Sequence, residues 1–354
     1  MTPSSSDSGR AQDKAPLMRR AWIDGPGVVS LRATPVPEPG PGEVRVRSGR
    51  VGICGSDLHA LAGRHPFIQL PVSPGHEVAG VVAALGEGVG SLAVGDRVLL
   101  EPNLVCGRCL HCSGGRYNLC EHLRVVGCQT AGALADAFVA PADRFHVVPE
   151  GMSLRAATLV EPLSTATHAV RLAGDLAGAA VAILGAGTIG LGLLLAVRAA
   201  GAGAVAVTDP LPSKRQRAQR LGADLVVDPG AGDAVAHIRG RLAHRPDVTF
   251  DCVANQSSID QSIALALNGG TLVVVGVPGG PVRIPLPLLQ DRELRLQGTA
   301  MYVRADVLRA MDLVAEIPLD ELVTAELPLE HAARAFEAAG SGDHVKVHVV
   351  IADE

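Results

Sequence analysis

Val181-Ala182-Ile183-Leu184-Gly185-Ala186-Gly187-Thr188-Ile189-Gly190 decides the fold of the second half of this chain. Four apolar residues make a short buried strand, and the glycines that follow have the G-x-G-x-x-G spacing of a turn entering a helix. The apolar run Leu191 to Ala200 supplies that helix, Gly201 stops it, and Ala204 to Thr208 is the next strand, ending in Asp209. Each residue type has a reason: Gly185 permits the tight turn, Gly187 lets the backbone approach a pyrophosphate, and Gly190 packs the helix against the strand. Thr188 and Ile189 open the helix, whose free N–H groups attract phosphate. Asp209 lies 24 residues after Gly185 and matches the acid that accepts hydrogen bonds from an adenosine ribose. A carboxylate there favours NAD over NADP. Lys214, Arg215 and Arg217 are expected on the solvent face of the next helix, with Arg215 a candidate for the cofactor if turned inward. Further strands at Leu225–Val227, Val248–Phe250 and Leu272–Val277, alternating with helical stretches, point to a doubly wound parallel sheet. The segment near Leu272–Val277 is expected at its edge, where a second copy would pair.

The first half reads differently. Short β-like runs at 43–47, 78–84, 97–100 and 137–139 alternate with Pro and Gly, which predicts a compact, mostly antiparallel β lobe. Gly75, Gly80, Gly86, Gly88, Gly90 and Gly95 are read as turn geometry only. Within it Cys106, Cys109, Cys112 and Cys120 are spaced C-x2-C-x2-C-x7-C in a chain with seven cysteines. Four thiolates at that spacing can hold one structural zinc at about 2.3 Å. Disulfides and scattered core thiols are the alternatives, disfavoured by the strain of closely spaced bridges. Cys128 and Cys252 are expected as buried, inert thiols. A second group, Cys54, Ser56, Asp57 and His59, then His76-Glu77, then Glu161-Pro162, contains zinc-ligand types. Its spacing alone leaves a metal site and ordinary packing equally open.

At 354 residues the chain has material for two domains. The helical run 305–315 and the terminal strand 344–351 are able to fold back on the first lobe. Met1 to Leu17, rich in Ser, Asp and Gly, is read as a disordered leader without the apolar core of a signal peptide. The net charge of −5 calls for neither nucleic acid nor an anionic membrane, and no apolar run is long enough to span a bilayer. A small-molecule partner and a reducing cytoplasm are expected.

The motifs G-I-C-G-S-D-L-H, P-G-H-E-V-A-G, V-G-D-R-V, the cysteine run, E-P-L-S and G-A-G-T-I-G resemble, in order, the zinc-dependent medium-chain dehydrogenase/reductase family, most closely its polyol, butanediol and threonine dehydrogenase branch. The resemblance implies an α/β protein with a GroES-like catalytic domain (18–160 and 300–354) and a Rossmann domain (161–299). It implies a catalytic zinc on Cys54, His76 and Glu77, with Glu161 as an exchanging fourth ligand and Asp57 orienting His76. Ser56 and His59 would relay the alcohol proton to solvent. The implied activity is reversible, NAD-linked oxidation of a secondary alcohol by zinc-alkoxide formation and hydride transfer, in a homodimer or homotetramer. A redox-neutral epimerase with recycled NAD and a non-catalytic NAD-binding sensor are the alternatives. One departure concerns the substrate: Met301, in Gly298-Thr299-Ala300-Met301-Tyr302, stands where sorbitol dehydrogenases carry an Arg for the polyol chain. That argues against sorbitol and leaves a smaller diol, an aminocyclitol or another secondary alcohol.

Overall fold

The computed structural model describes residues 16–352. Most of the expected leader therefore lies outside the described residues, and Leu17 already begins a strand, Leu17–Gly25, paired with Val28–Pro35.

The dinucleotide motif sits in a six-stranded, wholly parallel sheet. Its order is Leu225–Val227, Ala204–Thr208, Ala180–Leu184, Val248–Asp251, Thr271–Val274, Arg295–Gly298. Every residue of Ala180–Leu184 is buried, because helices cover both faces. Alternation sorts the side chains: Val181, Ile183, Val205, Val207 and Phe250 pack against the helices Val160–Ala173, Thr188–Ala199 and Arg304–Val314. Ala182, Leu184 and Ala206 face Ala234 and Ile238 on the other side. The edge expectation needs correction. Thr271–Val274 is an interior strand, and the edge is Arg295–Gly298, whose largely polar composition hides it from any apolar reading.

The other lobe is built on a sheet in which Glu43–Gly52 is central. It pairs antiparallel with Glu77–Leu85, with Ala137–Pro141 and, over its last residues, with Lys346–Val350. The chain thus leaves this lobe after residue 147, builds the parallel sheet, and returns with its last two strands, Val323–Pro328 and Lys346–Val350, which pair parallel. Val44, Val46, Val51, Val78, Val82 and Phe138 form the interior, closed by Ala335 and Phe336 of the helix Ala332–Gly340.

One buried residue in this sheet is electrostatically exposed to acid. His348 has no accessible surface, and neither ring nitrogen has a hydrogen-bond partner. Burial, together with the positive charges of Lys346, Arg50 and Arg155, holds its pKa well below the usual 6.5. The folded protein keeps this ring neutral while the unfolded chain protonates it, so its contribution to stability falls as pH drops below 6.5. By pH 5.5 the loss is about 1.4 kcal/mol. Urea unfolding at pH 7.5 and 5.5 should show a larger acid loss for the wild type than for His348→Leu; equal losses contradict this assignment.

Candidate active site

At the C-terminal end of Ala180–Leu184 the backbone turns through Gly185 with φ of +94°, a conformation that suits glycine. A Cβ on Gly190 would lie 1.8 Å from the Gly185 carbonyl, so only glycine lets helix and turn approach this closely. A Cβ on Gly187 would meet nothing within 4 Å, which leaves an open cradle above the N-terminus of the 12-residue helix Thr188–Ala199. That opening, beside unpaired N–H groups, fits a pyrophosphate. Asp209 is buried and held from both sides: one oxygen accepts from Ala186 N and the other from Leu211 N, both at 2.9 Å. Arg215 is turned inward, contrary to the solvent-face expectation, donating to the Asp209 and Pro210 carbonyls and, at 3.1 Å, to Asp228. Arg217 is likewise engaged, with Glu321 at 2.8 Å.

Cys106, Cys109, Cys112 and Cys120 bring their sulfurs within 4.8 Å of one another, and all four are free thiols. The Cys106 and Cys112 sulfurs are 4.0 Å apart. A tetrahedron with bonds of about 2.3 Å has edges of about 3.8 Å, so this set fits one zinc. Backbone N–H groups of Cys112 and Glu121 lower the Cys109 thiol to about 6, while burial and the neighbouring thiols raise Cys112 to about 12.

The second group is assembled by strand pairing. Register in the pair Glu43–Gly52 and Glu77–Leu85 sets Gly52 opposite Glu77, which places Cys54, just past the first strand, beside His76-Glu77 at the start of the second. Ligand atoms of Cys54, His76 and Glu77 lie within 4.8 Å of one another. Two of their polar atoms are buried without a partner, His76 Nδ1 and Glu77 Oε2. Thiolate, imidazole and carboxylate converging around orphaned atoms is a donor set suited to zinc with room for a further ligand. Gly52 leaves the room for it, since a Cβ there would fall 2.0 Å from Glu77 Oε2 and displace that carboxylate.

The surroundings hold charge in place. Lys346, 3% exposed, donates to Glu77 Oε1 at 2.6 Å and to the Ile53 carbonyl at 2.9 Å. Burial disfavours the charged His76 ring, yet Asp57 and Cys54 outweigh it and hold the pKa well above the usual value. Asp57 itself accepts from Cys54 N at 3.0 Å, and its other oxygen is 3.8 Å from His76 Nδ1. Ser56 Oγ lies 3.4 Å from His76 Nε2, and His59, three residues on in the same short helix, is exposed. Glu161 stays outside the three-residue group: its Oε1 accepts from the buried Tyr302 hydroxyl at 2.6 Å. Burial raises the Glu161 carboxyl to about 7, with His76 opposing and Glu77 adding to the rise.

Lys346, Tyr302 and Cys128 are absent from the site as read from sequence. A lone Lys within the apolar run Val345 to Val350 was the available signal for Lys346, because a lysine on a buried strand needs a counter-charge. Cys128 is half-buried, not the buried inert thiol expected. It also forms part of the wall of a cleft of about 520 Å³, with Trp22, Phe67, Gln69, Gln129 and Thr130. Cys252 is half-buried too.

Replacing Gly52 with Ala should displace the Glu77 carboxylate and reduce bound zinc from two ions per chain to one. Zinc content of the purified folded protein measures this, and two retained ions would contradict the packing argument.

Residues 40–150 match the alcohol dehydrogenase GroES-like domain, and residues 188–316 match the zinc-binding dehydrogenase domain. Sorbitol dehydrogenase of Ovis aries is 35% identical over 336 residues, 92% of this chain and 94% of the relative. A putative zinc-binding dehydrogenase from Sinorhizobium meliloti, solved bound to NADP, superposes with a TM-score of 0.89 at 35% identity, covering 95% of this chain and all of that one. The 2R,3R-butanediol dehydrogenase of Bacillus subtilis superposes with a TM-score of 0.87 at 30% identity, covering 94% and 99%. With a GroES-like lobe carrying two metal-ligand groups and a Rossmann sheet carrying a dinucleotide loop, this chain belongs to the zinc-dependent medium-chain dehydrogenase family, among its alcohol and polyol dehydrogenases.

Proposed function

We propose that the protein oxidises a secondary alcohol, a diol, polyol, cyclitol or amino alcohol, to the ketone, reversibly and with NAD. The observation that carries this reading is the three-residue donor group, Cys54, His76 and Glu77, with its orphaned buried atoms. Zinc held there supplies a Lewis acid that polarises the alcohol oxygen, and NAD supplies the hydride acceptor.

The chain's own residues do the rest. Ser56 lies on the rim of the group and takes the alcohol proton; His59, one helical step away and exposed, passes it to solvent. Asp57 keeps a negative charge behind His76 and pins the backbone of Cys54. Lys346 balances the carboxylate of Glu77, which would otherwise be costly to bury. Glu161, whose carboxylate accepts from Tyr302, would serve as the further ligand that exchanges with the substrate oxygen. The cleft beside Cys128 is of the size that takes small ligands, and its mixture of amide, hydroxyl and apolar residues suits a short polyhydroxy or amino alcohol. The Arg that sorbitol dehydrogenases use for the polyol chain is replaced here by Met301, which favours a smaller substrate than sorbitol.

NAD is the preferred dinucleotide because the Asp209 carboxylate would accept from the ribose hydroxyls and repel a 2′-phosphate. Arg215 does not offset this, being engaged by two carbonyls and by Asp228. We assign the protein to the cytoplasm, where thiols such as its free cysteines stay reduced. Among the described residues no helix is long and apolar enough to cross a membrane. A homodimer or homotetramer, pairing through the edge strand Arg295–Gly298, completes the reading.

A panel of diols, polyols, cyclitols and amino alcohols, followed by absorbance of the reduced cofactor, should identify a substrate that Cys54→Ser and His76→Ala turn over at least about 10³-fold more slowly. Full turnover by folded Cys54→Ser would end this assignment. With that substrate, kcat/KM for NAD should exceed that for NADP by at least about tenfold, and Asp209→Gly should narrow the gap. A wild-type preference for NADP would contradict the role given to Asp209.

A further inference from the structure

The dinucleotide loop and the metal group are joined by an unbroken sequence of contacts. The Thr188 hydroxyl, on the first residue of the helix behind the glycine loop, donates to the Val345 carbonyl at 2.6 Å. That carbonyl belongs to the planar peptide unit that also carries the Lys346 N–H, so it cannot turn without turning the start of Lys346. The Lys346 ammonium in turn donates to Glu77 Oε1 at 2.6 Å, as well as to the Ile53 carbonyl at 2.9 Å, while Glu77 Oε2 has no partner and Glu77 belongs to the three-residue donor group. The first contact spans 157 residues and the second 269, so neither follows from local chain geometry.

A threonine hydroxyl has one proton to donate. In this structure it goes to a neutral carbonyl. A pyrophosphate seated at the helix N-terminus would offer the same hydroxyl an anionic oxygen, and a hydrogen bond to an ionised acceptor is roughly twice as strong as one between neutral groups. The two acceptors would therefore compete for one donor, and the ionised one would be the stronger.

We propose that Thr188 is a positioning residue that reports dinucleotide occupancy to the zinc ligand Glu77: bound NAD takes the hydroxyl from Val345, the peptide ahead of Lys346 relaxes, and the Lys346–Glu77 pair loosens. The inference rests on the NAD reading above and adds to it a coupling between the two sites. With the ammonium drawn back, the Glu77 carboxylate has more of its charge for the metal, and zinc is held more tightly when NAD is present. Linkage makes the effect reciprocal, so NAD binds more tightly to zinc-loaded protein than to protein lacking the ion at Cys54 by the same factor.

The test measures zinc affinity by competition with a chelator, with and without saturating NAD, in the full-length protein, using Cys54→Ser to subtract the ion of the four-cysteine site. NAD binding is measured separately by equilibrium dialysis. In the wild type NAD should tighten zinc at least about fivefold, the low end of ordinary allosteric coupling. Thr188→Val, which keeps the shape and loses the hydroxyl, should bring the factor to one at NAD saturation, and Thr188→Ser should restore it. Wild-type protein that binds NAD with unchanged zinc affinity overturns the coupling and leaves the cofactor reading standing, as does a Thr188→Val protein with the full wild-type factor. Protein that binds zinc but no NAD overturns both.

Discussion

The antiparallel pairing of Glu43–Gly52 with Glu77–Leu85 is the constraint on which the site depends. His76 and Glu77, 22 and 23 residues from Cys54, become its neighbours because register sets Gly52 against Glu77. A slip of one residue would send His76 and Glu77 to opposite faces from those they now occupy. The pairing is secured by Val44, Val46, Val51, Val78 and Val82, whose burial specifies that register. Apolar packing thus fixes where a costly set of polar groups must sit, and the glycine opposite Glu77 makes room for it.

Burying Glu77 creates the second constraint. A carboxylate with almost no solvent contact is strongly unfavourable unless it is paired. Lys346 supplies the counter-charge from the last strand, after the chain has built the parallel sheet and returned to the first lobe. The return also lays Val345 against the helix behind the dinucleotide loop. Metal group, terminal strand and nucleotide loop are thereby parts of one mechanical unit, although they lie far apart in sequence.

The Rossmann half was legible because its signals are local. Strand, glycine turn, helix and acid follow one another within 30 residues, and each residue type answers to a steric or electrostatic need at its own position. The four-cysteine group was legible for the same reason, since its spacing alone brings the sulfurs together. Cys54, His76 and Glu77 were only half legible: each has an ordinary packing explanation, and strand register, which sequence spacing does not state, is what joins them. The resemblance to known dehydrogenases carried that step. Lys346 and Tyr302 escaped because their partners, Glu77 and Glu161, are 269 and 141 residues away. The edge strand was misplaced for a different reason: Arg295-Leu296-Gln297-Gly298 is polar because it is at the edge, so the last apolar run looked like the end of the sheet. Arg215 was misread because a charged helix residue is usually solvated, while here unsatisfied carbonyls and Asp228 draw it inward.

The central claim is that strand register builds a zinc site from Cys54, His76 and Glu77, separate from the four-cysteine site. Anomalous diffraction at the zinc edge from crystals of the purified protein tests it most directly. The account predicts two peaks per chain, one among Cys106, Cys109, Cys112 and Cys120 and one bounded by the Cys54 sulfur, the His76 ring and the Glu77 carboxylate. A single peak, confined to the four cysteines in zinc-replete protein, would contradict it.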